Sequence, residues 1–195
     1  MGISFHNCLV FNDCVQKVAE AQLTVAAINA LTGLGIVVDS FGNATVVIGG
    51  VAIPVQFEVC CQLDKIVFRP TLLKNKIINC GWVRGALLIK NADAGNVLAC
   101  VDVSLAFQEE QVANGVLPTD FIRETVEIDE GTSTCLVLVL NPTTGVVEPV
   151  VIMKCVFTVA KIVTREEVVL PSNCTALPLC VSNVCPANRV NISQT

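Results

Sequence analysis

Between Val51 and Cys61 the chain alternates without a break. Val51, Ile53, Val55, Phe57, Val59 and Cys61 fall on one side, and Ala52, Pro54, Gln56, Glu58 and Cys60 on the other. Successive side chains of a strand point to opposite faces, so this run predicts a strand with one face towards a core. The same two-residue period returns in Val97, Ala99, Val101, Val103, Leu105 and Phe107, and again in Val151, Met153, Cys155, Phe157 and Val159. Leu136–Leu140 is continuously apolar, as expected of a strand covered on both faces. Lys76–Lys90 is a further apolar segment, and its Gly81 and Gly85 predict a bulge or bend. Shorter strands are expected at Ile36–Asp39 and Thr45–Ile48. Phe41-Gly42-Asn43, Gly49-Gly50 and Asn141-Pro142-Thr143-Thr144-Gly145 supply turns between them. Pro54 lacks a backbone N–H and predicts an edge or a strand start.

Repeated strands and turns, with no long helical pattern after residue 35, predict an all-β chain, a jelly-roll-like β-sandwich. The two ends differ. Residues 1–14 hold Cys8 and Cys14 among Asn7, Asn12 and Asp13 and read as a polar arm that adds little to a core. Val15 to Leu31 suits a helix by its alanines and a strand by Leu23, Val25 and Ala27; extended structure is favoured. From Pro171 onward, Cys174, Cys180 and Cys185 stand among Pro171, Pro178 and Pro186. The expected organisation is an N-terminal arm and connector (1–35), a β-sandwich core domain (36–170) and a Cys/Pro-rich C-terminal tail (171–195).

Composition sharpens this picture. Of 195 residues, 53% are hydrophobic and only 15% charged, against roughly 25% charged in ordinary globular domains. The longest apolar stretch, Leu23 to Val38, is interrupted by Thr24, Asn29, Thr32, Gly33 and Gly35, so no membrane span is expected. High hydrophobicity without a span predicts a surface covered by partners. The net charge of −5 and scattered Lys and Arg exclude a nucleic-acid partner, which requires clustered positive charge. Residues 1–10 carry no basic, apolar leader pattern, so no signal peptide is expected.

No catalytic constellation is visible. The one histidine, His6, lies in the expected arm, a poor platform for a preorganised base. Carboxylates at Glu109-Glu110, Glu127, Asp129-Glu130 and Glu166-Glu167 read as solvated strand ends. Gly33-Leu34-Gly35 and Gly81–Gly85 lack the remaining residues of a phosphate loop. The chain is therefore expected to be no enzyme, with no catalytic or cofactor-binding residues and no cofactor.

The 11 cysteines are the strongest chemical signal. Zinc sites favour C-x₂₋₄-C pairs. The spacings at the ends are Cys8-x₅-Cys14, Cys174-x₅-Cys180 and Cys180-x₄-Cys185, no C-x-x-C occurs anywhere, and no metal site is expected. Adjacent Cys60-Cys61 would point to opposite faces of a strand. An odd count prevents complete pairing within one chain. Cys8, Cys14, Cys174, Cys180 and Cys185, at the ends, are expected to form disulfides between subunits. Cys60, Cys61, Cys80, Cys100, Cys135 and Cys155 are expected in the core or in intrachain bonds.

The stretch Cys60-Cys61-Gln62-Leu63-Asp64-Lys65-Ile66-Val67-Phe68-Arg69-Pro70, followed by Asn75-Lys76-Ile77-Ile78-Asn79-Cys80-Gly81-Trp82-Val83, resembles the β-rich domain of spore coat and spore-morphogenesis proteins of spore-forming Firmicutes. The cysteine-studded ends resemble the arms of endospore appendage and exosporium proteins. The vicinal cysteine pair found at the extreme N-terminus of appendage subunits is replaced here by Cys60-Cys61. These resemblances imply a structural subunit that self-assembles into a disulfide-crosslinked fibre or lattice. They imply a homopolymer on the spore surface, extracellular after mother-cell lysis, with other spore-coat proteins as further partners. The alternative is a β-sandwich adaptor module of the spore coat that recognises a peptide or glycan.

Overall fold

The computed structural model describes residues 4–127, 134–140 and 149–169. Its strands are β1 (Ser4–Thr24), β2 (Val37–Val38), β3 (Ala44–Ile48), β4 (Val51–Cys61), β5 (Val67–Leu73), β6 (Lys76–Asn91), β7 (Val97–Val112), β8 (Phe121–Glu127), β9 (Thr134–Leu140) and β10 (Val150–Val169), with one helix, α1 (Val25–Thr32). All strand pairs are antiparallel and belong to one ten-stranded sheet in the order β2-β3-β4-β6-β7-β1-β10-β8, with β5 also beside β6 and β9 also beside β10. The chain is all-β. Hydrogen bonding joins its strands into a single sheet where the sequence predicted two stacked ones.

The sheet has two halves, each built on a long pair of strands. β6 pairs with β7 from Lys76↔Val112 to Lys90↔Val97. β1 pairs with β10 from Ser4↔Val169 to Thr24↔Val150. The halves are bridged by one residue pair, Glu20↔Ala106. Both contribute to a common core: Val83, Leu87, Leu105 and Phe107 from one, Met153, Cys155, Phe157 and Val159 from the other. Phe107 stands edge-on to both Phe68 and Phe157, with ring centroids 5.8 and 5.5 Å apart, a favoured arrangement for aromatic rings.

In each half a long strand changes partner midway. β6 pairs with β5 through Trp82↔Val67 and with β4 from Gly85↔Cys61. Gly81 and Gly85 sit at this handover, and they are there because backbone comes close. A Cβ on Gly81 would overlap the Val67 carbonyl oxygen, and one on Gly85 would lie 2.8 Å from the Cys60 oxygen. The predicted bulge lies elsewhere, between Ile89 and Lys90. β10 likewise pairs with β9 up to Val156 and with β8 from Thr158.

The expected arm is a strand. Residues 4–14 pair with β10 throughout, with one irregularity between Leu9 and Phe11. Val10 and Phe11 pack on a second small core of Ile77, Ala113, Val116 and Val163. The 1–35 boundary between arm and core domain therefore does not hold for the described residues. Residues 15–31 divide at Thr24. Extended structure ends there, and the Thr24 hydroxyl accepts a hydrogen bond from the Ala27 amide at 3.1 Å, capping α1. Gly33, at φ 71°, closes the helix as its amide donates to the Asn29 carbonyl. The proposed tail, 171–195, lies outside the described residues. Among the described residues, no helix is long and apolar enough to cross a membrane.

Candidate functional site: outward thiols, open edges and a buried polar tetrad

The register of β4, β6 and β7 fixes where their cysteines point. Odd-numbered Val59, Val83, Leu87, Val101 and Leu105 are buried, so even-numbered residues face outward. Cys60, opposite Ala86, and Cys100, opposite Leu88, are exposed. Cys80, opposite Gln108, is half-buried, and its Sγ lies 3.3 Å from the Arg69 carbonyl oxygen. Of the two roles expected for these three, core or intrachain bond, the exposed positions of Cys60 and Cys100 lie outside the core. Cys155 does lie in the core, with its Cα directly opposite that of Cys135 on β9. Cys61 is half-buried against the core.

Cys60 and Cys100 belong to strands separated by β6. Two strand spacings make about 9.5 Å, beyond the roughly 6.8 Å Cα separation a disulfide tolerates. Cys80 lies farther along the same face from either. These thiols cannot bridge one another across this face.

Of the two N-terminal cysteines, Cys14 is disulfide-bonded and Cys8 is a free thiol opposite Arg165. Burial, then the hydrogen bond and charge of Glu167, push the Cys8 thiol above its ordinary range. That lowers its thiolate fraction and slows its exchange. Cys174, Cys180 and Cys185 lie outside the described residues. The described residues bring together no group of three His, Cys, Asp or Glu side chains suited to a metal ion.

Several strand edges lack a partner among the described residues. β2 covers only Ala44 and Thr45 of β3, leaving Val46–Ile48 open. Exposed Val37, Phe41, Val47, Ile48 and Val51 cluster at this end, Phe41 at 88% exposure. An apolar open edge is a template for pairing with another chain. β5 and β8 each pair on one side only. Pro70 stands in β5, where an edge tolerates a missing donor.

The interior holds a group that sequence reasoning missed. The inward registers of three strands turn polar at one level: Phe107 is followed by Glu109, Val159 by Lys161, and Ile77 by Asn79. Lys161 and Asn79 are fully buried and Lys17 is 3% exposed. Glu109 Oε2 accepts from Lys17 Nζ at 2.6 Å and from Lys161 Nζ at 3.3 Å, and Lys161 also donates to Gln111 Oε1 at 2.6 Å. Lys17 Nζ lies 5.3 Å from the centre of the Phe107 ring. From β8, Glu124 accepts a hydrogen bond from Asn79 Nδ2. Buried Asn79 Oδ1 and Glu124 Oε2 have no hydrogen-bond partner among the described residues.

Burial pushes the Glu124 carboxyl up, against the pull of Lys17 and Lys161. Burial, and then the Lys17 ammonium, draw Lys161 down, against Glu109 and Glu124. Burial would raise Glu109 as well, but the hydrogen bond and charge of Lys17, with Lys161, hold it below the ordinary range. The sequence reading of Glu109 as a solvated carboxylate is thereby corrected. The signal was present in the sequence as a lysine continuing the apolar register of Val151 to Val159.

No protein-family model matches the chain, and no curated protein or solved structure matches it either.

Proposed function

We propose that the chain is a non-enzymatic structural subunit that self-assembles into a disulfide-crosslinked fibre or lattice on a bacterial spore surface. One observation carries this reading: outward thiols set in a rigid sheet, too far apart to bond across their own face. Oxidation of Cys100 then draws on a partner from elsewhere, and a second copy presenting the same face or its thiol-bearing ends supplies one. The apolar edge at Val46–Ile48 supports the noncovalent step, in which strands of adjoining copies pair and bury Val47 and Ile48. Assembly brings copies together, and disulfides make their separation depend on reduction.

The test is electrophoresis of purified, air-oxidised protein with and without a thiol reductant. Wild type is expected to give a ladder, or material that does not enter the gel, which collapses to one band on reduction. Cys100→Ser should shift the ladder towards shorter species while leaving the circular dichroism spectrum unchanged. A single monomer band under both conditions would overturn the polymer and favour a coat adaptor that recognises a peptide or glycan.

A further inference from the structure

We propose that Lys161 and Asn79 become joined by an intramolecular isopeptide bond, with Glu124 as the proton-transfer group. The placement comes from two strand registers. Asn79 on β6 stands directly opposite Glu109 on β7, and Lys161 on β10 directly opposite Glu124 on β8. Across the core, Lys161 Nζ contacts Glu109 and Asn79 Nδ2 contacts Glu124. Strand register and side-chain contact thus alternate around four residues, with Lys161 and Asn79 as the diagonal pair: each contacts one carboxyl group and stands opposite the other in its sheet. Both are fully buried, so water neither solvates the amine nor competes for the carboxamide.

The charges around these four residues suit amide exchange. Glu109 is shared by two lysines, Lys17 at 2.6 Å and Lys161 at 3.3 Å, so one carboxylate faces two amines and Lys17 holds it more closely. In a buried site a neutral amine and a neutral acid are favoured over an additional pair of charges. The directions in which burial moves Lys161 and Glu124 agree. A protonated Glu124 can also supply a donor to Asn79 Oδ1, with Nδ2 giving up its present bond and Glu124 Oε2 keeping none. Flipping the Asn79 carboxamide places Oδ1 against the Glu124 hydroxyl, and one hydrogen bond then satisfies an acceptor that otherwise has none.

The neutral Lys161 amine attacks Asn79 Cγ while Glu124 donates a hydrogen bond to Oδ1. The surplus amine proton passes through the Glu124 carboxyl to Nδ2. The Cγ–Nδ2 bond breaks, ammonia leaves, and the Nζ–Cγ amide remains. Glu124 ends protonated, as it began. Amine and carboxamide give a secondary amide and ammonia, with no oxidant, reductant or cofactor. The bond would tie β10 to β6 across the two halves of the sheet, which share a single bridging residue pair. Unlike a disulfide, it would survive reduction.

The decisive measurement is the intact mass of the full wild-type chain after reduction and denaturation, followed by peptide mapping. The expected result is a mass short by one ammonia and a branched peptide joining the Lys161 and Asn79 segments. Glu124→Gln and Lys161→Arg should each restore the full mass, with folding checked by circular dichroism. A variant that fails to fold leaves the decision to the wild-type map. A full-mass wild-type chain would overturn the proposal. So would a missing ammonia mapped to another pair, such as Lys161 with Gln111.

Discussion

Deletion of residues 1–14 is expected to destabilise the whole fold, not to trim an arm. β10 would lose β1 as its partner from Ala160 to Val169, where Cys14↔Ala160 through Ser4↔Val169 now pair, and would keep only β8, up to Thr164. Val10 and Phe11 would leave Ile77, Ala113, Val116 and Val163 uncovered. Removing a fully buried phenylalanine costs about 3–5 kcal/mol, and half-buried Phe11 contributes a share of that. The truncation adds an unpaired strand edge and the loss of the Asp13–Gln111 hydrogen bond at 2.5 Å. Against a typical total stability of about 5–15 kcal/mol, the truncated chain should unfold at a much lower denaturant midpoint or aggregate on expression. Chemical denaturation followed by circular dichroism checks this. An unchanged midpoint would mean that residues 4–14 do not belong to the sheet.

Gly81→Ala should be nearly as damaging, for a different reason. The added methyl would overlap the Val67 carbonyl oxygen and come within 2.6 Å of Phe107 Cζ. A flexible side-chain tip can move aside, but here one obstacle is backbone of the paired strand and the other an aromatic ring wedged between Phe68 and Phe157. Relief requires β5 to part from β6. Overpacking of a close-packed core costs about 1–3 kcal/mol, and loss of the β5 pairing adds to it. Gly95→Ala is the control. It has open space around it and φ of 72°, so its cost should be only about 1–2 kcal/mol, from backbone strain. Thermal melts of the two variants should rank Gly81→Ala well below Gly95→Ala. Equal melting temperatures would contradict the tight β5–β6 handover.

The strands legible in the sequence are those with one face in the core. β4 alternates from Val51 to Cys61 and forms over that span. β7 and β10 were visible through Val101 to Phe107 and Val151 to Val159, but both run further, to Val112 and Val169. Their apolar register turns polar at Glu109 and Lys161, so the pattern fades where the strands do not. β1 was hidden for a related reason. Asn7, Asn12 and Asp13 make its first half look like a loop, yet its hydrogen bonds to β10 require no apolar side chains. β5 carries Pro70 and β8 carries Arg123, Glu124 and Glu127, all of which weaken a strand signal. Edge positions tolerate them.

The candidate sites were legible to different degrees. Cysteine number and spacing pointed to disulfides and away from zinc. They did not give direction, because a one-residue change of register moves a side chain from the core face to the outer face. Cys60, Cys80 and Cys100 fall on even positions and point out, while Cys155 falls on an odd one and points in. The tetrad of Lys161, Asn79, Glu109 and Glu124 draws on four strands from distant parts of the chain, and only the pairing of those strands brings it together.

The central claim is that disulfides cross between copies of the chain. It is tested most directly by mixing isotopically light and heavy protein under reducing conditions, oxidising during assembly, and mapping the disulfide-linked peptides without reduction. The account predicts mixed light–heavy pairs, in the proportion expected of random neighbours, at one or more of Cys8, Cys80, Cys100 and the C-terminal cysteines. If every linked pair is light with light or heavy with heavy, all bonds lie within single chains, and the crosslinked polymer is wrong.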